Sequence, residues 1–393
     1  MHGYRADIAF DGERRLPSGA LVLVDDGVIV GVEPAATSAP EGCPVTAAPA
    51  LLPGLVDTHV HLCGDSSPRA LDQFDELSAD QLQAIITAAL EAHLRAGVTT
   101  VRDLGDHRWA VVERSRTGDQ GPTVVASGPP LTIPGGHCSA MGGVARGPGP
   151  LREAVRERAE RGAGVVKIMA SGGVLTPGTD VLACQFTADE VRAVVDEAHR
   201  NGLPVTAHAH GLPAVERAVA SGVDGIEHCS CLTREGAVLP QALVDRLVGS
   251  GVLVCPTVGR VPGVDPPPHV QARLAAIGWT FEDHLDHVAE LQKAGVTLLA
   301  GTDAGIGPSK RHGLVPMAVV DLVACGVPAE AALAAATGLA ARACGLQQRT
   351  GRLAVGMDAD LLLVDGDPLR DVTVLQQPRV VVSRGREVPL LRE

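Results

Sequence analysis

The chain has 393 residues, of which 45% are hydrophobic and 20% are charged, so a packed globular core is feasible and wholesale disorder is excluded. Aromatic residues make up only 2%, and the formal net charge is -13. Few aromatic side chains argue against a protein that stacks nucleic-acid bases, and the negative charge argues against binding to nucleic acid or to an anionic membrane. We therefore expect an aliphatic core, no nucleic-acid partner and no membrane partner.

The cysteines and the first residues of the chain are typical of a cytoplasmic protein. Nine cysteines are present, an odd number without a Cys-x-x-Cys pair, which favours reduced thiols. The first ten residues include Arg5 and Asp7 and form no apolar signal segment, and no run reaches about 18 consecutive apolar residues. The sequence thus predicts a soluble, unexported protein of the cytoplasm.

Strand-rich segments stand at both ends of the chain. The strands predicted there are Leu21–Val24, Val28–Val32, Asp360–Asp365 and Val380–Ser383. The first two are joined by Asp25-Asp26-Gly27, which is typical of a hairpin turn. We expect residues 1–52 and 354–393 to pair into one small β domain, and residues 53–353 to form a large domain between them.

The middle of the chain alternates β-branched runs with helical runs rich in alanine, glutamate and arginine. The eight predicted strands are Leu55–Leu62, Thr99–Leu104, Thr123–Ser127, Val165–Ala170, Pro204–His210, Gly225–His228, Val252–Pro256 and Thr297–Gly301. The predicted helices are Ser78–Ala96, Leu151–Arg161, Thr187–Asn201, Leu212–Ser221, Pro240–Gly249 and Phe281–Ala294. Several of these helices end on a glycine just before the next strand, as at Gly97 and Gly295. Eight βα units over about 250 residues favour an α/β fold with a (β/α)8 TIM-like barrel over an open doubly wound sheet, although periodicity alone leaves the open sheet possible.

Side chains that can bind metal ions, directly or after a covalent modification, stand at the carboxyl ends of five of these strands. They are His59 and His61 on the first strand, Lys167 on the fourth, His208 and His210 on the fifth, His228 on the sixth and Asp303 after the eighth. Residues i and i+2 of a strand point to the same side, and catalytic groups of such barrels come from the carboxyl ends of several strands. Each residue alone could be a satisfied core or surface side chain, but together they predict one metal site. Histidine and carboxylate ligands without cysteine suit Zn²⁺, Mn²⁺, Fe²⁺, Co²⁺ or Ni²⁺.

Lys167 interrupts an otherwise apolar strand, Val165-Val166-Lys167-Ile168. A protonated lysine has no lone pair and cannot bind a metal ion, and a cation beside other cations is unfavourable. One interpretation is a lysine paired with an acid in the interior. The other is that the neutral amine adds CO₂ to give a carbamate, whose two anionic oxygens can bridge two metal ions. The residues alone leave both interpretations open.

Six motifs spread over the whole chain carry a resemblance to a known family. They are Pro53-Gly54-Leu55-Val56-Asp57-Thr58-His59-Val60-His61, Lys167-Ile168-Met169-Ala170-Ser171-Gly172-Gly173, Ala207-His208-Ala209-His210-Gly211, Gly225-Ile226-Glu227-His228, Gly301-Thr302-Asp303-Ala304-Gly305 and Gly356-Met357-Asp358-Ala359-Asp360-Leu361. In these motifs the sequence resembles the metal-dependent amidohydrolase superfamily. More narrowly, it is similar to the imidazolonepropionase-like group, which includes prolidase-like Xaa-amino-acid dipeptidases and related amidases.

The resemblance implies a binuclear metal centre. By it, one group of side chains would hold the more buried metal ion, namely His59, His61 and Asp303, and His208 and His228 would hold the outer one. A carbamylated Lys167 would bridge the two ions, and Asp303 would carry a proton from the attacking water to the leaving amine. The expected cofactors are therefore two divalent metal ions, with zinc as the expected metal, and a CO₂-derived carbamate. The family also carries a small β-sandwich built from both chain ends, and its members lead us to expect a homo-oligomer.

Three further histidines are candidates for substrate contact. His137 follows Pro134-Gly135-Gly136 beyond the third strand, and flanking glycines fit a close approach of the backbone to a ligand, although the segment could also be a plain turn. His210 should face the same cavity as His208, either towards the substrate or in a structural hydrogen bond. His312 lies with Lys310 and Arg311 in the loop after the eighth strand, and this cluster could bind a substrate carboxylate or belong to a solvated loop.

The expected function is hydrolysis of an amide, peptide or cyclic-amide bond through a metal-bridging hydroxide. The expected substrate is a small peptide or an N-acyl amino acid. An alternative keeps the metal site and hydrolyses a lactone, a carbamate or another ester. Two further alternatives are a deaminase, against which the lysine at position 167 counts, and a non-catalytic barrel, in which lost ligands would be expected.

Overall fold

Strands and helices alternate along the computed structural model, which describes residues 1–118 and 121–390. The strands are β1 (His2–Ala6), β2 (Ile8–Phe10), β3 (Arg15–Leu16), β4 (Ala20–Asp25), β5 (Val28–Glu33), β6 (Val45–Ala47), β7 (Ala50–Pro53), β8 (Leu55–Val60), β9 (Val98–Asp103), β10 (Thr123–Ala126), β11 (Val166–Met169), β12 (Val205–Gly211), β13 (Gly225–Thr233), β14 (Gly236–Ala237), β15 (Leu253–Cys255), β16 (Leu361–Val364), β17 (Pro378–Ser383) and β18 (Arg386–Glu387). The helices are α1 (Ala79–Arg95), α2 (Ala110–Ser115), α3 (Pro148–Arg161), α4 (Ala188–Arg200), α5 (Leu212–Ala220), α6 (Gln241–Ser250), α7 (Pro268–Ala276), α8 (Phe281–Lys293), α9 (Val315–Ala324), α10 (Ala329–Ala335) and α11 (Gly338–Ala343). None of the described helices is both long and apolar enough to cross a bilayer.

The two ends of the chain come together in two sheets. One has the strand order β5-β4-β1-β6, and the other has the order β18-β17-β16-β7-β2-β3 and so joins strands from both ends. The β4–β5 hairpin turns at Asp26 and Gly27, which have φ values of 45° and 80°, as a tight two-residue turn requires. The sheets share a buried apolar cluster that includes Tyr4, Val22, Leu51, Leu353, Leu361 and Val382. The predicted domain boundaries at 52/53 and 353/354 stay predictions.

Two parallel sheets occupy the middle of the chain, and their strands are buried on both faces. One has the order β10-β9-β8, and the other contains β11-β12-β13 with β15 also paired in parallel to β13. Parallel bridges at Val60–Ala304, Leu131–Ile168 and Val254–Leu298 connect the edges of these sheets. A mixed α/β architecture is therefore confirmed, and the residues at the ends of β8, β11, β12 and β13 come close together.

The predicted eighth strand, Thr297–Gly301, forms one isolated parallel bridge, from Leu298 to Val254, instead of a regular ladder. The residues that follow it are held by side chains of β8. Asp57 Oδ1 accepts the Thr302 backbone N–H at 3.1 Å, and Asp57 Oδ2 accepts the Thr302 hydroxyl at 2.6 Å. Asp303 has a φ of 59°, so the chain leaves the extended conformation there. This segment is therefore bound to the neighbouring strands through side chains as well as through its backbone.

Candidate metal centre and active site

One group of side chains that can bind a metal ion lies where β8 ends. His59 is in β8, His61 follows it, and Asp303 comes from the segment that bridges to β8. Asp303 Oδ1 lies 3.3 Å from His59 Nε2 and 3.1 Å from His61 Nε2. The three side chains are buried, and their candidate ligand atoms lie within 4.8 Å of one another. Two imidazole nitrogens and a carboxylate oxygen at this spacing suit zinc or a divalent transition metal.

Asp303 is ionised and held in a strained backbone conformation. Burial by itself raises the pKa of Asp303, but His59, His61 and the Lys310 ammonium outweigh this effect and hold the pKa below its usual range. Its φ of 59° lies in the left-handed region, which costs free energy for a residue other than glycine. The surrounding contacts therefore fix a charged carboxylate at the end of β8.

A second group of side chains lies at the ends of β12 and β13, which pair in parallel with Ala209 opposite His228. His208, His210 and His228 have candidate ligand atoms within 4.8 Å of one another. The ring centroids of His208 and His228 are 4.6 Å apart, and those of His59 and His228 are 5.5 Å apart, so the second group adjoins the first. Burial lowers the pKa of His208 and of His228 well below the ordinary value, so both rings are neutral at pH 7 and keep a lone pair.

Lys167 lies in β11 and lines the same cavity as both groups, with 1% of its surface exposed. Burial lowers the pKa of its ammonium. Within residues 1–118 and 121–390, the side chain of Lys167 makes neither an ion pair nor a hydrogen bond, although the charges of Glu227 and Asp303 act on it from a distance. The interpretation as a lysine paired with an acid is therefore not supported in the described structure. A buried amine without such a partner favours the neutral form, because desolvation penalises the charge.

All of these side chains face one cavity of 190 Å³. The predicted site residues that line it are His59, His61, His137, Lys167, His208, His210, His228 and Asp303. Burial lowers the pKa of His137 to about 3 and that of His210 to about 4, so both are neutral. His137 Nδ1 lies 2.8 Å from Thr176 Oγ1, and His210 Nδ1 lies 2.9 Å from Ser230 Oγ. The residues predicted at the strand ends, and His137 from a loop, therefore lie around one cavity.

His312 is the predicted substrate-binding residue that does not line this cavity. Its Nε2 lies 2.8 Å from the carbonyl oxygen of Gly64, and its Nδ1 lies 3.2 Å from His93 Nε2, against a separate depression of the surface. The loop after Asp303 folds back on itself through a bridge between Gly307 and Lys310. As a result, the side chain of Lys310 reaches the cavity and the side chain of His312 points elsewhere.

The match to a family model covers most of the chain. A model of the amidohydrolase family matches residues 50–388, which include both parallel sheets and all the residues of the two candidate metal-binding groups described above. The chain belongs to the amidohydrolase family.

Individual relatives of this amidohydrolase carry several names. An ochratoxinase from Aspergillus niger is 30% identical over 382 residues, which cover 85% of this chain and 74% of the relative. An imidazolonepropionase from a Polaromonas species is 31% identical over 205 residues, which cover 51% of this chain and 43% of the relative. The crystal structure of a Xaa-Pro dipeptidase with methionine bound in its active site has a TM-score of 0.85 and 27% identity, covering 98% of this chain and 99% of that one. The resemblance predicted from the motifs is confirmed.

A buried carboxylate supports the first metal-binding group of this amidohydrolase. Glu227 Oε2 lies 2.8 Å from His59 Nδ1, and Arg102 and Thr206 donate to Glu227 Oε1 at 3.1 Å and 2.5 Å. Because a carboxylate only accepts hydrogen bonds, His59 carries its proton on Nδ1 and keeps the lone pair on Nε2, beside Asp303. Burial by itself raises the pKa of Glu227, but His59 and Arg102 outweigh it and hold the pKa below its usual range.

Replacing Glu227 with glutamine should lower the free energy of unfolding by about 3–5 kcal/mol, because the buried Arg102 would keep its charge without an anionic partner. Urea unfolding followed by circular dichroism measures the loss. The exposed pair of Arg379 and Asp365, 2.7 Å apart, offers a matched control, and Asp365→Asn should cost no more than about 1 kcal/mol. Equal losses in the two variants would contradict the role of the buried pair.

Several residues of the site are absent from the sequence-based site prediction. They are Arg102, Glu227, Thr257, Arg260, Trp279 and His284. Glu227 stands in a quoted motif, but strand alternation would place it and His228 on opposite faces. The structure breaks the alternation, because His228 and Cys229 have φ values of 69° and 50°. His228 thereby turns towards the cavity and Thr257 Oγ1, 2.8 Å from its Nδ1, and no pattern in the sequence signals this bend.

Proposed function

We propose that this amidohydrolase uses two divalent metal ions to hydrolyse the amide bond of a short peptide or of an N-acyl amino acid. One observation carries the proposal: two groups of metal-binding side chains adjoin each other in one cavity with an unpaired, buried lysine. The name of the Xaa-Pro dipeptidase and the methionine in its active site support a peptide-type substrate. We propose no ester or lactone substrate, because no feature of the cavity favours one.

We also propose that the two parallel sheets close into one (β/α)8 TIM-like barrel, with the segment after α8 as its eighth strand. Three observations support this. Leu131 N donates to the Lys167 carbonyl oxygen at 2.8 Å and joins one pair of sheet edges. At the other edges, Leu299 N donates to the Val254 carbonyl oxygen and Asp303 N to the His59 carbonyl oxygen, each at 2.8 Å. The mouth of the barrel would then be the cavity described above.

The donor chemistry of the site fits such a centre. His59, His61 and Asp303 would hold one ion, and His208 and His228 would hold the other. Burial lowers the pKa of His59 to about 4, so its ring is neutral and offers Nε2 at neutral pH. Divalent ions bound by these residues would lower the pKa of a water molecule to about 7 and polarise a carbonyl oxygen.

Lys167 would supply the anion between the two groups. Its neutral amine would attack the carbon of dissolved CO₂, form an N–C bond and release one proton, which leaves a carbamate with two oxygens that share one negative charge. Two such oxygens can each face one group of ligands, which a protonated ammonium cannot do. Zinc is the metal that we propose, together with this carbamate.

Asp303 would move the proton of the reaction. Its carboxylate is ionised, so it can accept a proton from the attacking water while the new C–O bond forms. It would then deliver that proton to the amide nitrogen as the C–N bond breaks, which leaves an amine and a carboxylate as products. His137 and His210 line the same cavity as neutral rings, and we propose that they contact the substrate.

Removing divalent ions should abolish the activity. Incubation with dipicolinate at pH 7 followed by dialysis should reduce the hydrolysis of an N-acyl amino acid by about 100-fold or more, because the polarising charge on the carbonyl is lost. Adding Zn²⁺ or Mn²⁺ should restore it, and metal analysis by plasma mass spectrometry should find up to two ions per chain. Full activity with no detectable metal would contradict the proposal. A cytoplasmic location, a small-molecule or short-peptide partner and self-association stay predictions.

A further inference from the structure

The outer wall of the cavity is apolar and aromatic, in a chain that has very few aromatic residues. The sequence contains only four phenylalanines, two tryptophans and one tyrosine, and both Trp279 and Phe281 line this cavity. They stand at the junction of α7 and α8, where Trp279 N donates to the Leu274 carbonyl oxygen at 3.0 Å. Leu274 and Ile277 of the same segment also line the cavity and are half-buried. This wall has the composition that binds a bulky apolar group.

The charged side chains that lie beside this apolar wall are cationic. Arg260 and Lys310 line the cavity, and within the described residues Asp303 is the one carboxylate that does so. Lys310 Nζ donates to the carbonyl oxygens of Thr257 and Gly259 at 2.7 Å and 2.9 Å. These bonds fix the Lys310 ammonium beside the segment that carries Arg260. A cationic wall favours an anionic group of the substrate and disfavours a cationic one.

Arg260 lines the cavity in contact with the aromatic part of the apolar wall. Its guanidinium lies 3.9 Å from the centroid of the Phe281 ring, and its side chain is 30% exposed. Its ion-pair partner, Glu282, lies at 3.2 Å and is 75% exposed, so water screens that pair. A planar guanidinium that stacks on an aromatic ring remains free to pair with a carboxylate through its edge.

We infer that the substrate combines a bulky apolar group, packed against Trp279 and Phe281, with a free carboxylate that pairs with Arg260. This inference rests on the proposed amide hydrolysis and narrows its substrate class to large apolar amino acids that are acylated on the amino nitrogen and keep a free carboxylate. Arg260 and Trp279 are then residues that determine specificity. Substrates with lysine or arginine side chains are disfavoured by the same wall.

Four probes test the substrate class: N-acetyl-L-phenylalanine, its carboxamide, N-acetylglycine and N-acetyl-L-lysine. With the metal-loaded enzyme, kcat/KM for N-acetyl-L-phenylalanine should exceed the values for the other three by about 10- to 100-fold. Arg260→Gln should remove the preference over the carboxamide mainly through KM, and Arg260→Lys should restore part of it. Trp279→Ala should remove the preference over N-acetylglycine.

A matched control separates recognition from a structural role of Arg260. Glu282→Gln removes the partner of Arg260 and should leave the preference for the free carboxylate intact. If Glu282→Gln causes the same loss as Arg260→Gln, the carboxylate assignment is overturned, because the ion pair and not the substrate would then be what Arg260 serves.

Binding provides a readout that does not depend on turnover. Trp109→Phe leaves Trp279 as the single tryptophan, so quenching of its fluorescence by the same four probes reports binding at this wall. Hydrolysis of all four probes at similar rates, with equal quenching, would overturn the substrate class and leave the hydrolase proposal standing. Quenching selective for N-acetyl-L-phenylalanine without hydrolysis of any probe would overturn the hydrolase proposal and support the assignment of the wall.

Discussion

Replacing Asp303 with asparagine should lower kcat by about 10²- to 10⁴-fold, the range for loss of a positioned acid–base group, while most of the bound metal is retained. The amide oxygen of asparagine can stand where Asp303 Oδ1 stands, close to His59 Nε2 and His61 Nε2 at 3.3 Å and 3.1 Å. It can still bind a metal ion but cannot take up a proton. The variant should therefore separate metal binding from proton transfer.

The measurement compares metal content and steady-state hydrolysis of an N-acyl amino acid in the same preparation. Asp365→Asn, which makes the same change at an exposed carboxylate far along the sequence, serves as the control and should keep the activity of the parent protein. A near-normal kcat in Asp303→Asn would refute the proton-transfer role. Loss of both ions in that variant would show that Asp303 acts chiefly as a ligand.

Helix boundaries were the part of the fold that the sequence predicted well, because local chemistry sets them. Ser78 and Gln81 form a capping box at the start of α1, and Thr187 and Glu190 form one at the start of α4. Gly97, which follows α1, has the positive φ of 82° that a glycine after a helix supplies. These signals need no knowledge of the rest of the chain, so the predicted and observed boundaries of α1 and α4 agree within one residue, whereas α3 begins three residues before its predicted start.

The helices that the sequence left unpredicted lack such signals. The segment after the eighth predicted strand forms α9, α10 and α11, which are rich in alanine and valine and carry few polar residues to mark a solvent face. Without that contrast, a helical period cannot be read from the sequence. α7 begins at the last of three consecutive prolines, Pro266, Pro267 and Pro268, which are typical of a loop, and yet it supplies part of the cavity wall.

The sequence predicted the part of the site that lies at the ends of strands, and it did not predict the rest. His59, Lys167 and His228 come together because the carboxyl ends of parallel strands meet. Whether Lys310 or His312 enters the cavity depends on how one loop folds back on itself. The local sequence does not indicate this fold of the loop. The turn of His228 towards the cavity depends on its φ of 69°, which the surrounding contacts impose. Both features are tertiary and not local.

Replacing Lys167 with alanine should remove most of the bound metal and lower kcat/KM by about 10²-fold or more, because the anion between the two groups of ligands is lost. Acetate or formate added at millimolar concentration should restore part of the activity, since a short carboxylate offers the same two oxygens in the space that the side chain leaves. Lys293→Ala, at an exposed lysine, is the matched control and should behave like the parent protein.

The two interpretations of Lys167 predict opposite results in this experiment. A lysine that acts as a buried cation would be needed for its charge, so a carboxylate could not replace it and rescue would fail. A lysine that acts through its carbamate is needed for an anion, so rescue by acetate follows, and ¹³CO₂ should label the parent protein but not Lys167→Met. Full activity of Lys167→Ala without any additive would exclude the carbamate. The lowered pKa of this amine favours the second interpretation, because it makes the neutral, nucleophilic form accessible at lower pH than for an exposed lysine.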